Sequence, residues 1–256
     1  GFSPERELPI VAKIAMGSLK NKFLFLLPGA LLLSAFAPWA VTPILMLGGA
    51  YLCFEAAEKL IEAIGGHHEV ETTADLAQSS VELEKEKVSG AVRTDMILSA
   101  EIMAIALSTV ADRPLAIQAG ALAVSGLFIT IGVYGLVALI VKMDDIGLSL
   151  ATRPRKLTAA FGRGLVQAMP VVLGLLGKVG TAAMLWVGGG IVVHGLHEFG
   201  VDAIPHLIDV AAHPLAALPL IGGVAGWVAH ALLSAVVGLI LGGLIALAVH
   251  RLGPKH

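Results

Sequence analysis

From Leu115 to Val141 the chain reads "LAIQAGALAVSGLFITIGVYGLVALIV", without one aspartate, glutamate, lysine or arginine. About 20 helical residues cross the ~30 Å hydrocarbon core of a bilayer, so a run this long and apolar reads as a membrane-spanning helix. The rest of the chain agrees. Hydrophobic residues make up 57% and charged residues 14% of its 256 residues, against roughly 45–50% and about 25% in soluble domains. The apolar residues come in continuous runs, whereas an outer-membrane barrel needs repeated alternation. Glycine is abundant at 30 residues, as expected where helices approach closely in lipid. The expected fold class is all-α, a polytopic transmembrane helical bundle forming one integral membrane domain over residues 1–256.

The net charge of −2 comes with no basic stripe carrying interleaved aromatics, so no nucleic-acid partner is expected. Cys53 is the only cysteine, which excludes a disulfide framework and a thiol-rich metal site and leaves a small packing residue. No phosphate loop, nucleophile elbow or kinase-type signature occurs. An enzyme is therefore not expected, and no cofactor.

Residues 1–22 are polar and basic, and Ile10, Ile14, Met16 and Leu19 suit one face of a short interfacial helix. Phe23 to Ala37 is short for a span and holds Pro28, which predicts a tilted short helix or one arm of a re-entrant hairpin. A second span follows from Thr42 to about Leu60. Residues 61–92 form a polar segment on the cytoplasmic side. A third span runs from Thr94 to about Val110, Asp112-Arg113-Pro114 makes a tight turn, and Leu115–Val141 is the fourth. After the charged stretch 142–156, residues 157–199 are apolar but interrupted by Pro170 and Lys178, and 200–218 is a loop. The last span covers about Leu220 to Val249. Lys and Arg gather in the N-terminal segment, in 142–163 and at the C-terminus. About six spans with both ends cytoplasmic fit that bias; taking 157–177 as a separate span makes seven.

A weak internal repeat is also visible. "LMLGGAYLCFEAAEKL" (45–60) aligns without gaps to "LWVGGGIVVHGLHEFG" (185–200), and "DMILSAEI" (95–102) to "HALLSAVV" (230–237). The repeat halves would be 22–110 and 157–250, with Asp95 matched to His230 and Glu101 to Val236. Its glycine clusters, Gly48-Gly49 and Gly188-Gly189-Gly190, are expected at close helix contacts.

Charge inside the spans carries the chemistry. Glu101 is nearly two turns into an apolar run, where an ionised carboxylate costs at least about 2.5–3.5 kcal/mol. It is a candidate ion or proton site, or one half of a structural pair with Arg93, Lys142 or Lys178. Asp95, six residues earlier, is about 120° around the helix and ~9 Å along it, so the two acids cannot chelate one ion by themselves. Asp95 shares a face with Ser99 and Met103, and a position near a helix start suits an anion that caps free N–H groups. Asp144 and Asp145 beside Lys142 read as a solvated helix end, or as the mouth of a pathway. His230 is the strongly polar group of the last span, either a packing histidine or a proton relay with Glu101. His194, His197 and Glu198 share a helical face with zinc-ligand spacing, but the order is not that of the HExxH signature.

The runs "RELPIVAKIAMGSLKNK", "LLLSAFAPWAVTPILMLGGAYLCFEAAEK", "EKEKVSGAVRTDMILSAEIM" and "GVYGLVALIVKMDDIGL" resemble the YedI-like family of bacterial inner-membrane proteins, a domain of unknown function. The resemblance covers essentially the whole chain. It implies a multi-span helical fold in the bacterial inner membrane and a further N-terminal stretch before Gly1. It implies no activity and carries no site residues.

Three functions are expected in descending order. The first is a secondary transporter or permease for a small ion or solute using an intramembrane carboxylate. The second is a non-transporting membrane scaffold or partner-binding protein, and the third a metal-dependent enzyme on His194, His197 and Glu198. The expected partners are the lipid bilayer and a small ion or solute; a homo-oligomer is compatible with the sequence.

Overall fold

The computed structural model describes residues 4–64, 80–216, 218–219 and 221–252, which are helical apart from short turns, with no strand among them. In chain order the elements are α1 (Pro4–Asn21), a π turn (Lys22–Leu26), α2 (Leu27–Phe36), a 3-10 turn (Pro38–Ala40), α3 (Val41–Ile64), α4 (Ser80–Ser108), α5 (Leu115–Ala151), α6 (Lys156–Glu198), α7 (Ala203–Ala216) and α8 (Gly222–Leu252). Among the described residues, five helical stretches are long and apolar enough to cross a membrane: Leu8–Phe36, Pro38–Ile64, Leu115–Ala151, Lys156–Glu198 and Gly222–Arg251. The remaining expected span, Thr94–Val110, is helical up to Ser108 as the last part of the 29-residue α4. It is not among the five, because the end of that helix carries Arg93, Asp95 and Glu101.

The N-terminal segment departs from the sequence reading. Residues 1–22 do not form a separate interfacial helix, nor Phe23–Ala37 a short arm; the chain is helical from Pro4 to Phe36. The join is the π turn, closed by a hydrogen bond from the Leu27 N–H to the Lys22 carbonyl. Pro28 explains it. The proline ring lacks an N–H and crowds the carbonyl one turn back, and a widened turn just before it relieves the clash without ending the helix. Pro170 likewise does not break its segment, and lies inside the 43-residue α6. Proline is tolerated in such helices where neighbouring groups re-satisfy the freed carbonyl. The polar segment 61–92 is partly absorbed by α3 and α4, with 65–79 outside the described residues. The stretch 200–218 is a loop only at its margins, since α7 occupies most of it, and α5 carries the charged stretch after Val141 on to Ala151.

Two compact units divide the chain: Gly1–Leu32 with Leu76–Lys178, and Leu33–Asp75 with Val179–His256. They cut across the repeat halves 22–110 and 157–250.

In the first unit α1 packs on α4 and α5, and α4 on α5. The packed line of α1 is Ile10, Ile14, Ser18 and Lys22, one residue per turn, whereas Met16 faces outward. Gly17 lies against Val92 of α4. Met103 and Leu107 of α4 and Leu122 of α5 form an apolar core with Leu26, Leu27 and Leu31. The expected turn at Asp112-Arg113-Pro114 is present, and the buried Gln118 clamps it by donating to the carbonyls of Ala111 and Arg113, both at 2.9 Å. The first part of α6 meets α5 backbone to backbone: a Cβ on Gly162 would stand 2.4 Å from the Ala151 nitrogen and 2.6 Å from the Gly147 carbonyl. Gly162→Ala is expected to lower the melting temperature in detergent clearly, and Gly164→Ala, whose Cβ would meet nothing within 4 Å, to leave it unchanged.

In the second unit, α3, α6 and α8 meet through the glycines expected at close contacts. Gly49 and Gly188 face each other, their added Cβ atoms 2.8 Å and 2.6 Å from the other's carbonyl oxygen. Gly242 lies on the carbonyl of Cys53, and Cys53 is fully buried among them. The lone cysteine is thus a packing residue. Helix α7 covers α8, and Trp186 and Trp227 meet edge to face at 5.4 Å. Helix α6 stops where Gly200 takes φ 76°. The Val201 N–H bonds the Leu196 carbonyl and the Gly200 N–H that of His197, the Schellman arrangement that only a residue free to adopt positive φ closes readily.

Candidate functional site: a buried lysine–aspartate pair

Lys22 opens the π turn, and its side chain is 2% exposed. Its aliphatic stem lies by Gly126 of α5, where an added Cβ would stand 3.6 Å from Lys22 Cδ and 3.8 Å from Lys22 Cβ. Its ammonium donates to the Ser18 hydroxyl one turn back on α1 and to Asp95 Oδ2 on α4 at 2.9 Å. Asp95 accepts a second, longer bond from Ser99 Oγ at 3.4 Å. Tyr134 of α5 stands beside the group, its hydroxyl next to both Asp95 and Ser18. One cation and one anion from two segments thus meet directly within the first unit, with Ser18 bonded to the cation and Ser99 to the anion. A buried pair is tolerated when geometry and surrounding hydrogen bonds offset desolvation. Both conditions hold.

Asp95 therefore has a role different from the one expected. It is not at a helix start, because α4 begins at Ser80, well before the apolar run. The polar residues ahead of the run belong to the same helix, and Asp95 is mid-helix with every nearby backbone N–H already bonded in the helix. Its shared face with Ser99 and Met103 is as expected. The cation that meets it, Lys22, was not foreseen. The available signal was the four-residue spacing that continues Ile10, Ile14 and Ser18 to Lys22.

Glu101 stands off the buried stripe of Ser99, Met103 and Leu107 and is half-buried. Among the described residues it has no hydrogen-bond or ion-pair partner. The cations expected for it stand elsewhere: Arg93 is exposed on α4, Lys142 pairs with Asp145 at 2.6 Å, and Lys178 is exposed along the unbroken α6. Asp145 is thus part of an exposed i,i+3 pair, inside α5 rather than at a helix end, since that helix runs on to Ala151; the side chain of Asp144 lies outside the described residues.

His230 falls in the second unit, inside the apolar stretch Gly222–Arg251 as expected, with its ring half exposed and 3.9 Å from Asp209 of α7. The residues with zinc-ligand spacing do not converge. His194 pairs with Glu198 at 3.2 Å, Glu198 also accepts from Thr42, and His197 turns to Asp202 at 2.6 Å. Among the described residues no group of three or more His, Cys, Asp or Glu could hold a metal ion. The C-terminal turn of α6 sends His197 toward the loop after it, which separates it from its helical neighbours.

A helical membrane protein with a buried lysine paired to a partly buried aspartate between its helices is the class that fold and site define. Residues 1–248 match the family described as Protein of unknown function (DUF808), and the chain belongs to that family. No curated protein and no solved structure matches it.

Proposed function

We propose that the protein is a permease that moves a small ion or solute across the bacterial inner membrane, and that within its family it stands with the YedI-like proteins it resembles. The observation that carries this reading is the Lys22–Asp95 pair, with Lys22 almost wholly buried at a π turn in a helical membrane bundle. Ionisable residues inside membrane segments are expensive and mark ion or substrate pathways by default. Single π turns inside helices recur at functional sites, since they leave backbone and side chains in a register that a small shift can change. Asp95 acts here by exchanging its partner: Lys22 holds the carboxylate in one state, and a proton replaces Lys22 in another. Glu101, about a turn and a half further along α4 and without a described partner, supplies a second carboxylate on the way. Counting the Glu101 stretch of α4 as a sixth crossing keeps both chain ends cytoplasmic.

The test is flux in proteoliposomes loaded with a pH-sensitive dye and bathed in turn in sodium, potassium, chloride and formate salts, with protein-free liposomes as baseline. The wild type is expected to move protons above baseline in at least one salt. Asp95→Asn and Glu101→Gln should each reduce that rate at least tenfold, because neither amide can carry the proton. Wild-type rates at baseline in every salt, or both variants at wild-type rate, overturn the reading. Glu101→Gln should also melt no lower than the wild type, since no described partner is lost.

One observation favours a second reading, a non-transporting scaffold. The Lys22–Asp95 pair is locally satisfied, as a pair that fixes helix register would be. In that case Asp95→Asn lowers the melting temperature and leaves no flux to lose.

A further inference from the structure

Two donors hold Asp95 Oδ2, Lys22 from the π turn and Ser99 from its own helix, with Ser18 of α1 behind Lys22 and Tyr134 of α5 alongside. Lys22, Tyr134 and Asp95 itself are the titratable groups at the site, and Arg93 is exposed on α4. We propose that this cradle is an anion-binding site whose resident occupant is the Asp95 carboxylate, and that the solute admitted when Asp95 takes up a proton is a small monovalent carboxylate. The inference rests on the permease reading and names its substrate class.

Charge decides between the kinds of cargo. With Lys22 protonated and Asp95 ionised, the site is neutral. A metal cation would have to share the carboxylate with an ammonium 2.9 Å away, and the Ser18 oxygen already takes that ammonium's hydrogen bond. An anion entering alone would leave a net negative charge in low dielectric, and a proton entering alone would leave Lys22 unpaired, each expensive inside a membrane. A proton and an anion entering together keep the site neutral at every stage. The proton adds to an Asp95 oxygen, Lys22 and Ser99 release that carboxyl, and the incoming carboxylate takes their hydrogen bonds. No covalent bond other than the O–H forms or breaks. A carboxylate fits because its oxygen replaces Asp95 Oδ2, the carboxylate oxygen that Lys22 and Ser99 already hold.

The experiment is formate binding by the full chain in detergent at pH 7, read by melting temperature and calorimetry, with sodium gluconate at equal ionic strength as control. Asp95→Asn keeps the shape of the protonated acid. It is expected to bind formate at least tenfold more tightly than the wild type, with a saturable rise in melting temperature that gluconate does not produce. Lys22→Met in the Asp95→Asn background should abolish the effect. Asp95→Ala, which empties the cradle, should be rescued by formate in the same way, so the idea does not depend on one variant folding. No formate-specific shift in either single variant, or an equal shift in the double variant, overturns the proposal. Binding without flux would sink the permease reading and keep the anion site; proton flux without formate binding would do the opposite.

Discussion

Lys22→Met is expected to destabilise the protein by about 3 kcal/mol, the low end for breaking a buried pair, because it leaves the partly buried Asp95 carboxylate with only the Ser99 hydroxyl hydrogen-bonded to it. Methionine matches the lysine stem in length and flexibility, so its packing over Gly126 survives and the effect isolates the charge. Lys22→Met with Asp95→Leu should recover most of the loss. Removing both charges also removes both desolvation penalties, and the orphaned serine hydroxyls can turn to the carbonyl one turn back on their own helices. Denaturation in mixed micelles of the wild type, both single variants and the double variant gives the coupling energy directly. A double variant as unstable as the sum of the singles would mean that the two residues do not act as a pair. If stability recovers in the double variant while flux does not, the pair is retained for function.

The second large effect is at Gly189, where a Cβ would stand 1.9 Å from the Ser234 carbonyl oxygen and 2.9 Å from the Gly238 nitrogen. Both are backbone atoms of α8 and neither can rotate away. Gly189→Ala should therefore force α6 and α8 apart and destabilise by at least about 3 kcal/mol, at the upper end for overpacking. The adjacent Gly190 is the control. A Cβ there meets nothing within 4 Å, so Gly190→Ala should be neutral or stabilising by up to about 1 kcal/mol through helix propensity alone. Thermal melts by size-exclusion fluorescence compare the two. Equal melting temperatures would contradict the helix contact described here.

Much of the helical content was legible because its cause is local. The uncharged run at Leu115–Val141, the turn at Asp112-Arg113-Pro114 and the glycine pairs state their preference within a few residues. Proline was the main source of error. Pro28 and Pro170 were read as breaks, yet one is absorbed by a π turn and the other by a continuous helix. A proline's penalty depends on what neighbouring groups do for the freed carbonyl, which short-range pattern does not record. Asp95 was misread for a related reason, since the start of its helix was inferred from where the apolar run starts.

The sequence by itself determined the class: an all-helical chain of apolar runs with glycine contacts, and a few charges inside those runs that water cannot reach cheaply. Which charges meet is a property of the tertiary structure alone. Lys22 and Asp95 are 73 residues apart in sequence, and no pattern within either helix encodes the other. Their pairing comes from α1 packing on α4 and α5 and from the widened turn at Lys22, which together leave Asp95 as its anionic partner. Glu101, the more conspicuous acid in the sequence, is by that packing left off the buried stripe and without a partner among the described residues.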